Sequence, residues 1–145
     1  MSITSTLSSH HHRCDELFAS AEDACANGQW IQCAADFARL CEELEAHFQS
    51  EEELLFPAFE SASGSHSGPT SMMRDEHRQM RELLAQMHVD LVARDADAYS
   101  GGAETLLILM QQHNMKEENI LYPMCDEALA SSSVGATLQA RFHPR

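Results

Sequence analysis

Two stretches of this 145-residue chain repeat one combination of imidazole and carboxylate. His47-Phe-Gln-Ser-Glu51-Glu52-Glu53-Leu54-Leu55-Phe56-Pro57 and His113-Asn-Met-Lys-Glu117-Glu118-Asn119-Ile120-Leu121-Tyr122-Pro123 share the pattern H-x-x-x-E-E-x-[LI]-L-[FY]-P and lie 66 residues apart. On a helix, a carboxylate four residues after a histidine sits on the same face one turn further on, so His47 with Glu51 and His113 with Glu117 project together. Those faces are otherwise apolar, where an unpaired carboxylate is expensive unless pairing or metal coordination removes the cost. The same 66-residue shift sets His11 on His77, Cys14 on Met80, Glu16 on Glu82 and Leu17 on Leu83, so the repeat covers helix pairs rather than one motif.

Imidazole nitrogens with carboxylate oxygens suit iron, manganese or zinc, and six protein ligands are too many for one tetrahedral zinc. A dinuclear site is expected, with His11 and His47 on one metal, His77 and His113 on the other, and Glu51 and Glu117 bridging. One further bridging oxygen makes each metal five-coordinate and leaves an open position for dioxygen, peroxide, nitric oxide or azide. Glu52 and Glu118 are expected to be outer or solvated, with a small rotation as their route to the metals. Met73 is expected in the core, its alternative being a soft sixth ligand. His10 and His12 flank His11, but only His11 keeps the 66-residue offset; the run of three has an adventitious metal binder as its other reading. His66, His88 and His143 are expected at the surface, Phe56 and Tyr122 in packing roles, and Pro57 and Pro123 at kinks or helix ends. Cys14 lies one turn past His11, either lining the pocket or acting as a small hydrophobe.

Helix-period patterns dominate the elements that must hold these residues. A first helix is expected from about Leu7 to Ala26, stopped by Asn27-Gly28, with Leu7, His11, Cys14, Leu17, Phe18, Ala21 and Cys25 inward. A second begins near Gln29 with Trp30, Ala34, Phe37, Cys41, Leu44, Phe48, Leu55 and Ala58 on its stripe, and ends at the Ser/Gly run before Pro69. The third carries Met73, His77, Met80, Leu84, Met87 and Leu91; the fourth carries Leu106, Leu109, Met110, His113, Glu117, Leu121 and Met124, its first turns weakened by Gly101-Gly102. His11 to His47 spans 36 residues, as does His77 to His113, with turns at the midpoints. An up-down-up-down antiparallel four-helix bundle, all-α and built from an internal two-helix repeat, therefore sets the four histidines in one layer. Residues 1–130 form this domain, and 131–145 read as a loose C-terminal tail.

Nine Lys and Arg against 23 Asp and Glu give a formal charge of −14. Such a chain is repelled by phosphate backbones and anionic lipid heads, so neither nucleic acid nor membrane is an expected partner. Five cysteines at helix-like spacings fit reduced thiols and a cytoplasmic setting. The longest purely apolar run, 106–110, is far too short to span a bilayer.

His11-x-x-Cys14-Asp15-x-x-Phe18, the two H-x-x-x-E-E motifs and Glu76-His77-x-x-Met80 occur in the order of a known pattern. In these the chain resembles the hemerythrin-like family, the HHE cation-binding domain, over about residues 9–130. The resemblance implies a four-helix bundle with a non-haem di-iron centre, two iron ions bridged by carboxylate and an oxo or hydroxo group, with manganese or zinc as substitutes. Oxygen-carrying members have a fifth histidine four residues from another on the third helix, whereas Met73 and Arg81 hold those places around His77. That departure counts against reversible oxygen carriage and leaves sensing, iron handling or small redox chemistry. The expected function is binding of dioxygen or a related small ligand as sensor, store or scavenger. The alternative is a di-iron oxidoreductase acting on peroxide or nitric oxide with a redox partner protein, or delivery of iron to damaged iron centres. A third reading is a regulatory bundle with a structural zinc.

Overall fold

The computed structural model describes residues 2–65 and 67–142; the expectations for His66 and His143 lie outside the described residues. Helices α1 (Ile3–Ala26), α2 (Trp30–Ser50), α3 (Phe56–Ser63), α4 (Pro69–Val92), α5 (Ala96–Lys116), α6 (Tyr122–Ala128) and α7 (Val134–Phe142) account for most of it, with no strand among the described residues. Two π-helical segments, Glu51–Leu55 and Glu117–Leu121, join α2 to α3 and α5 to α6. α1 packs along α2 and α4 along α5, and contacts of α1 with α5 and of α2 with α4 close a helical bundle.

The helix ends follow from their caps. Gly28 takes the left-handed conformation at φ 69° and stops α1 as expected. Asp95 accepts from the Ala98 N–H at 3.1 Å and starts α5. α1 begins four residues before the expected Leu7, because the Asp126 carboxylate of α6 accepts from the N–H groups of Ile3 and Thr4 at 2.7 and 3.1 Å and from the Thr4 hydroxyl at 2.6 Å. Ser2 caps the Ser5 N–H locally at 2.9 Å, and the other first-turn donors that a helix leaves open are satisfied from the far end of the chain. The glycine pair does not interrupt α5. A Cβ on Gly102 would lie 2.8 Å from Met87 Cγ, so the bare glycine lets α5 approach α4 closely.

The core forms two clusters, and along each helix the four histidines fall between them. One holds Leu17, Phe18, Phe37, Leu40, Met87 and Leu106; the other holds Leu7, Leu55, Phe56, Met73, Tyr122 and Leu138. On α2 the expected Phe37, Leu44 and Phe48 are buried, but the inward stripe runs through Cys33, Leu40 and His47 rather than through Trp30, Ala34 and Cys41. Two adjacent stripes of α2 are apolar and only one can face inward. The other lines an open groove of about 880 Å³ between α2 and α4.

Past Pro57 and Pro123 the expected stripes fail by one residue in both halves. Phe59 is buried where Ala58 was expected, and Cys125 is buried while Met124 is 42% exposed. The π segments cause this, since each adds a residue to a turn and so advances every later side chain by one position, about 100° of rotation. The C-terminal segment also departs from expectation. Instead of a loose tail, residues 134–142 form α7, whose Val134 and Leu138 are buried in the second cluster as α7 packs along α1. Val134, Leu138 and Phe142 recur every four residues, an apolar edge that gains by covering its neighbours.

Candidate metal centre

His11 comes from α1, His47 from the last turn of α2, His77 from α4 and His113 from α5. Glu51 and Glu117 are the first residues of the two π segments. All six are buried, none more than 5% exposed. The rings of His11 and His47 lie 4.7 Å apart between centroids, those of His77 and His113 4.9 Å. Their donor atoms gather in two groups, each within 4.8 Å: Glu51, His77, His113 and Glu117 in one, His11, His47 and Glu117 in the other. Each group can hold a metal ion.

Proline shapes both motifs. Its ring carries no N–H and crowds the carbonyl four residues back. Here the turn before each proline opens instead, so that the Phe56 N–H reaches the Glu51 carbonyl and the Tyr122 N–H reaches the Glu117 carbonyl, both five residues back. The expected kink or helix end is thus a widened turn through which the helix continues. Within it Glu51 and Leu55, and Glu117 and Leu121, all stay buried.

The unsatisfied atoms test whether the site suits a metal. His77 Nε2 lies 3.0 Å from Glu51 Oε1, and His113 Nε2 lies 3.2 Å from Glu117 Oε1. Yet His77 Nε2, His113 Nε2, Glu51 Oε1 and Glu117 Oε2 make no well-aligned hydrogen bond among the described residues. Each such buried atom costs about 1–3 kcal/mol. Four of them close together, two imidazole nitrogens and two carboxylate oxygens, fit metal ions that would take up their lone pairs.

The other face of each ring is held from outside. His11 Nδ1 meets Glu118 Oε2 at 2.6 Å, His77 Nδ1 meets Glu52 Oε2 at 2.6 Å, and His113 Nδ1 meets Glu76 Oε1 at 2.8 Å. Arg81 steadies Glu52 at 2.9 Å, and Lys116 pairs with Glu76. Such partners orient a ligating imidazole and raise its basicity. Glu52 and Glu118 therefore take the expected outer place. His47 is the exception, because its Nδ1 lies 2.7 Å from His10 Nδ1. His10 is buried, with its ring stacked on His47 at 5.0 Å and tilted against Phe142 of α7 at 4.3 Å, and belongs to the site's outer layer rather than to a surface run. Under the 66-residue shift His10 stands where the other half has Glu76.

Tyr122 is the residue that sequence reasoning placed wrongly. Its hydroxyl lies in the centre, donating toward Glu51 Oε2 at 2.7 Å and Glu117 Oε1 at 2.8 Å, with His47 Nε2 at 3.1 Å and His11 Nε2 at 3.2 Å. Its repeat mate Phe56 stacks over His77 at 5.8 Å, and so packs as expected. The Phe/Tyr difference inside otherwise matching motifs was the available signal. Met73 is buried in the second core cluster, and Cys14 Sγ approaches His10 Nδ1 at 3.9 Å rather than the ligand atoms.

Electrostatics follow the same geometry. Burial pulls the His11 imidazole down, but Glu117 and Glu118 outweigh it and raise the pKa to about 9. For His113, burial is outweighed by Glu117 and Glu76, and the pKa rises to about 10. Glu51 is pushed up by burial, yet His47, Glu117 and His77 hold it well below the usual carboxylate range. A histidine raised from 6.5 stabilises the fold fully below that value and loses its contribution as pH climbs through the folded pKa. Thermal melts of metal-free protein should therefore show a lower midpoint at about pH 10 than at about pH 6. A midpoint that rises over this window would contradict the carboxylate–imidazolium pairing. The loaded protein runs the other way, because metals compete with protons for the same nitrogens and are released as pH falls.

Comparison with known proteins decides the family. The model of the hemerythrin HHE cation-binding domain matches residues 2–125. The chain belongs to the hemerythrin HHE family. This hemerythrin-like domain is 36% identical over 93 residues to the iron-sulfur cluster repair protein YtfE of Enterobacter sp. (strain 638), and 33% identical over 93 residues to YtfE of Escherichia coli O81 (strain ED1a). Each match covers 58% of the chain and 42% of the relative. A DNA nickase of Nostoc sp. is 27% identical over 131 residues, 90% of the chain and 35% of the relative. The chain thus spans about two-fifths of the length of the curated relatives it matches. No solved structure matches it. Among the described residues no helix is long and apolar enough to cross a membrane.

Proposed function

We propose that this domain holds a dinuclear non-haem iron centre and binds dioxygen or a related small ligand as a sensor, store or scavenger. Four rods in an up-down-up-down antiparallel order, α1, α2 with α3, α4, and α5 with α6, supply the ligands. His11 and His47 would hold one iron, His77 and His113 the other, with Glu51 and Glu117 between them. When bound, the irons supply a Lewis-acidic, redox-active position for an exchangeable small ligand. The chain's own residues do the rest. Glu52, Glu76 and Glu118 hold three imidazoles by Nδ1 so that each Nε2 faces inward, and Phe48, stacked on His77 at 4.2 Å, keeps that side dry. The carrying observation is the cluster of four buried, unsatisfied lone-pair atoms. A cytoplasmic setting accords with five free cysteines.

The matches to iron-sulfur cluster repair proteins favour a second reading, in which the centre's iron is given up to damaged clusters. The nickase match gains no support from a formal charge of −14, which repels a phosphate backbone. Elemental analysis of chelator-free protein from iron-replete cells is the first test, with about two irons per chain expected. A single zinc, or no metal, would overturn the reading. Transfer of that iron to an apo-cluster acceptor would favour repair. Steady consumption of peroxide or nitric oxide with a reductant would instead mark an oxidoreductase, and reversible spectral change without consumption a binder.

A further inference from the structure

We propose that Tyr122 is a seventh protein donor of the centre, on the His11/His47 side, so that the two metal positions differ: one is completed by the chain and the other stays open. This rests on the dinuclear reading above. Donor atoms about 2.1 Å from a shared metal and at right angles to one another lie about 3 Å apart. The Tyr122 hydroxyl stands at 2.7 to 3.2 Å from four candidate donors, Glu51 Oε2, Glu117 Oε1, His47 Nε2 and His11 Nε2. It therefore occupies a vertex of the coordination shell that those atoms outline. A phenol hydroxyl donates one hydrogen bond and accepts at most two, so four partners at these distances exceed what hydrogen bonding alone can satisfy.

Among the places where the two halves of the repeat diverge around the centre, two bear on this. Tyr122 answers to Phe56, whose ring lies over His77 and offers no donor. His10 answers to Glu76, so the His11/His47 half has an imidazole at His47 Nδ1 where the other half has a carboxylate at His113 Nδ1. On the other side the Phe56 ring stands where Tyr122 does here and brings no donor to His77 Nε2 or His113 Nε2, so the open position lies there. Binding to a ferric ion replaces the phenol O–H bond by an oxygen–metal bond and passes the proton to water, with no change in oxidation state.

The test is the visible and resonance Raman spectrum of the diferric protein, with iron counted on the same sample. A phenolate-to-iron charge-transfer band and tyrosinate ring modes are expected in the wild type. Tyr99, the other tyrosine of the chain, is buried in the opposite core cluster, so the signal belongs to Tyr122. Tyr122→Phe should lose the band entirely, and its azide stoichiometry should rise from about one to about two per chain as a second position opens. Phe56→Tyr should add a second tyrosinate and weaken azide binding at least roughly 10-fold. About two irons per chain without tyrosinate modes in the wild type would overturn the inference and leave the dinuclear reading standing. So would a band that survives Tyr122→Phe. Absence of iron would overturn both. The wild-type spectrum decides even if a variant fails to fold.

Discussion

Glu117→Ala is expected to purify with less than half the iron of the wild type, and its apparent affinity for ferrous ion should fall on the order of 100-fold or more, exceeding the loss from an outer partner alone. Glu117 is the one residue common to both groups of converging donors, so its removal strips a ligand from each. It also leaves His113 and His11 without their nearest buried counter-charge, at 3.2 Å in each case. Glu118→Ala provides the comparison. It removes only the Nδ1 partner of His11, and the expected loss is roughly 10–100-fold, confined to one metal position. Equal iron contents in the two variants would show that Glu117 does not join the two halves. Metal analysis and ferrous titration of both variants make the measurement.

Phe59→Ala is expected to cost about 3–5 kcal/mol of unfolding free energy, whereas Met124→Ala should change it by less than about 0.5 kcal/mol. The contrast runs against the periodicity of the chain, on which Met124 lies inward and Phe59 lies beside the stripe. It follows from the π segments, which carry Phe59 to 4% exposure and leave Met124 at 42%. Denaturant melts of the two variants at fixed metal loading would check it. A costly Met124→Ala with a harmless Phe59→Ala would mean that the helices run straight through the prolines.

The contrast also shows which parts of the molecule were legible. The inward face of α4 follows from helical spacing from Met73 to Leu91, because it has one apolar stripe interrupted by a single histidine, and every residue expected inward on α1 is buried, with His10 beside His11 as the addition at the site. The six candidate donors were legible because the repeat aligned them in a way that no single motif could. α2 was misread because it has two apolar stripes, and the one bearing His47 was not used to choose between them. The shift past Pro57 was missed because periodicity counts residues and cannot see a turn that takes an extra one. Proline marked the place without specifying the form. The Asp126 cap and α7 depend on residues distant in the chain, and helical spacing places the Tyr122 ring in the core without saying where its hydroxyl points. His10 was set aside as part of a run, although its offset mate Glu76 stood in plain view.

The widened turns also limit how far this domain can be stabilised. A π turn aligns its hydrogen bonds poorly and leaves a backbone group underused, so a helix selected for stability alone would drop the extra residue. Both halves retain it, in each case beginning at the bridging candidate, Glu51 or Glu117. The extra residue is therefore kept where the chemistry is, and substitutions that straighten these turns should raise the melting temperature of metal-free protein while weakening its grip on metal. Stability here trades against occupancy, and the exchange takes place at two residues 66 apart in the chain.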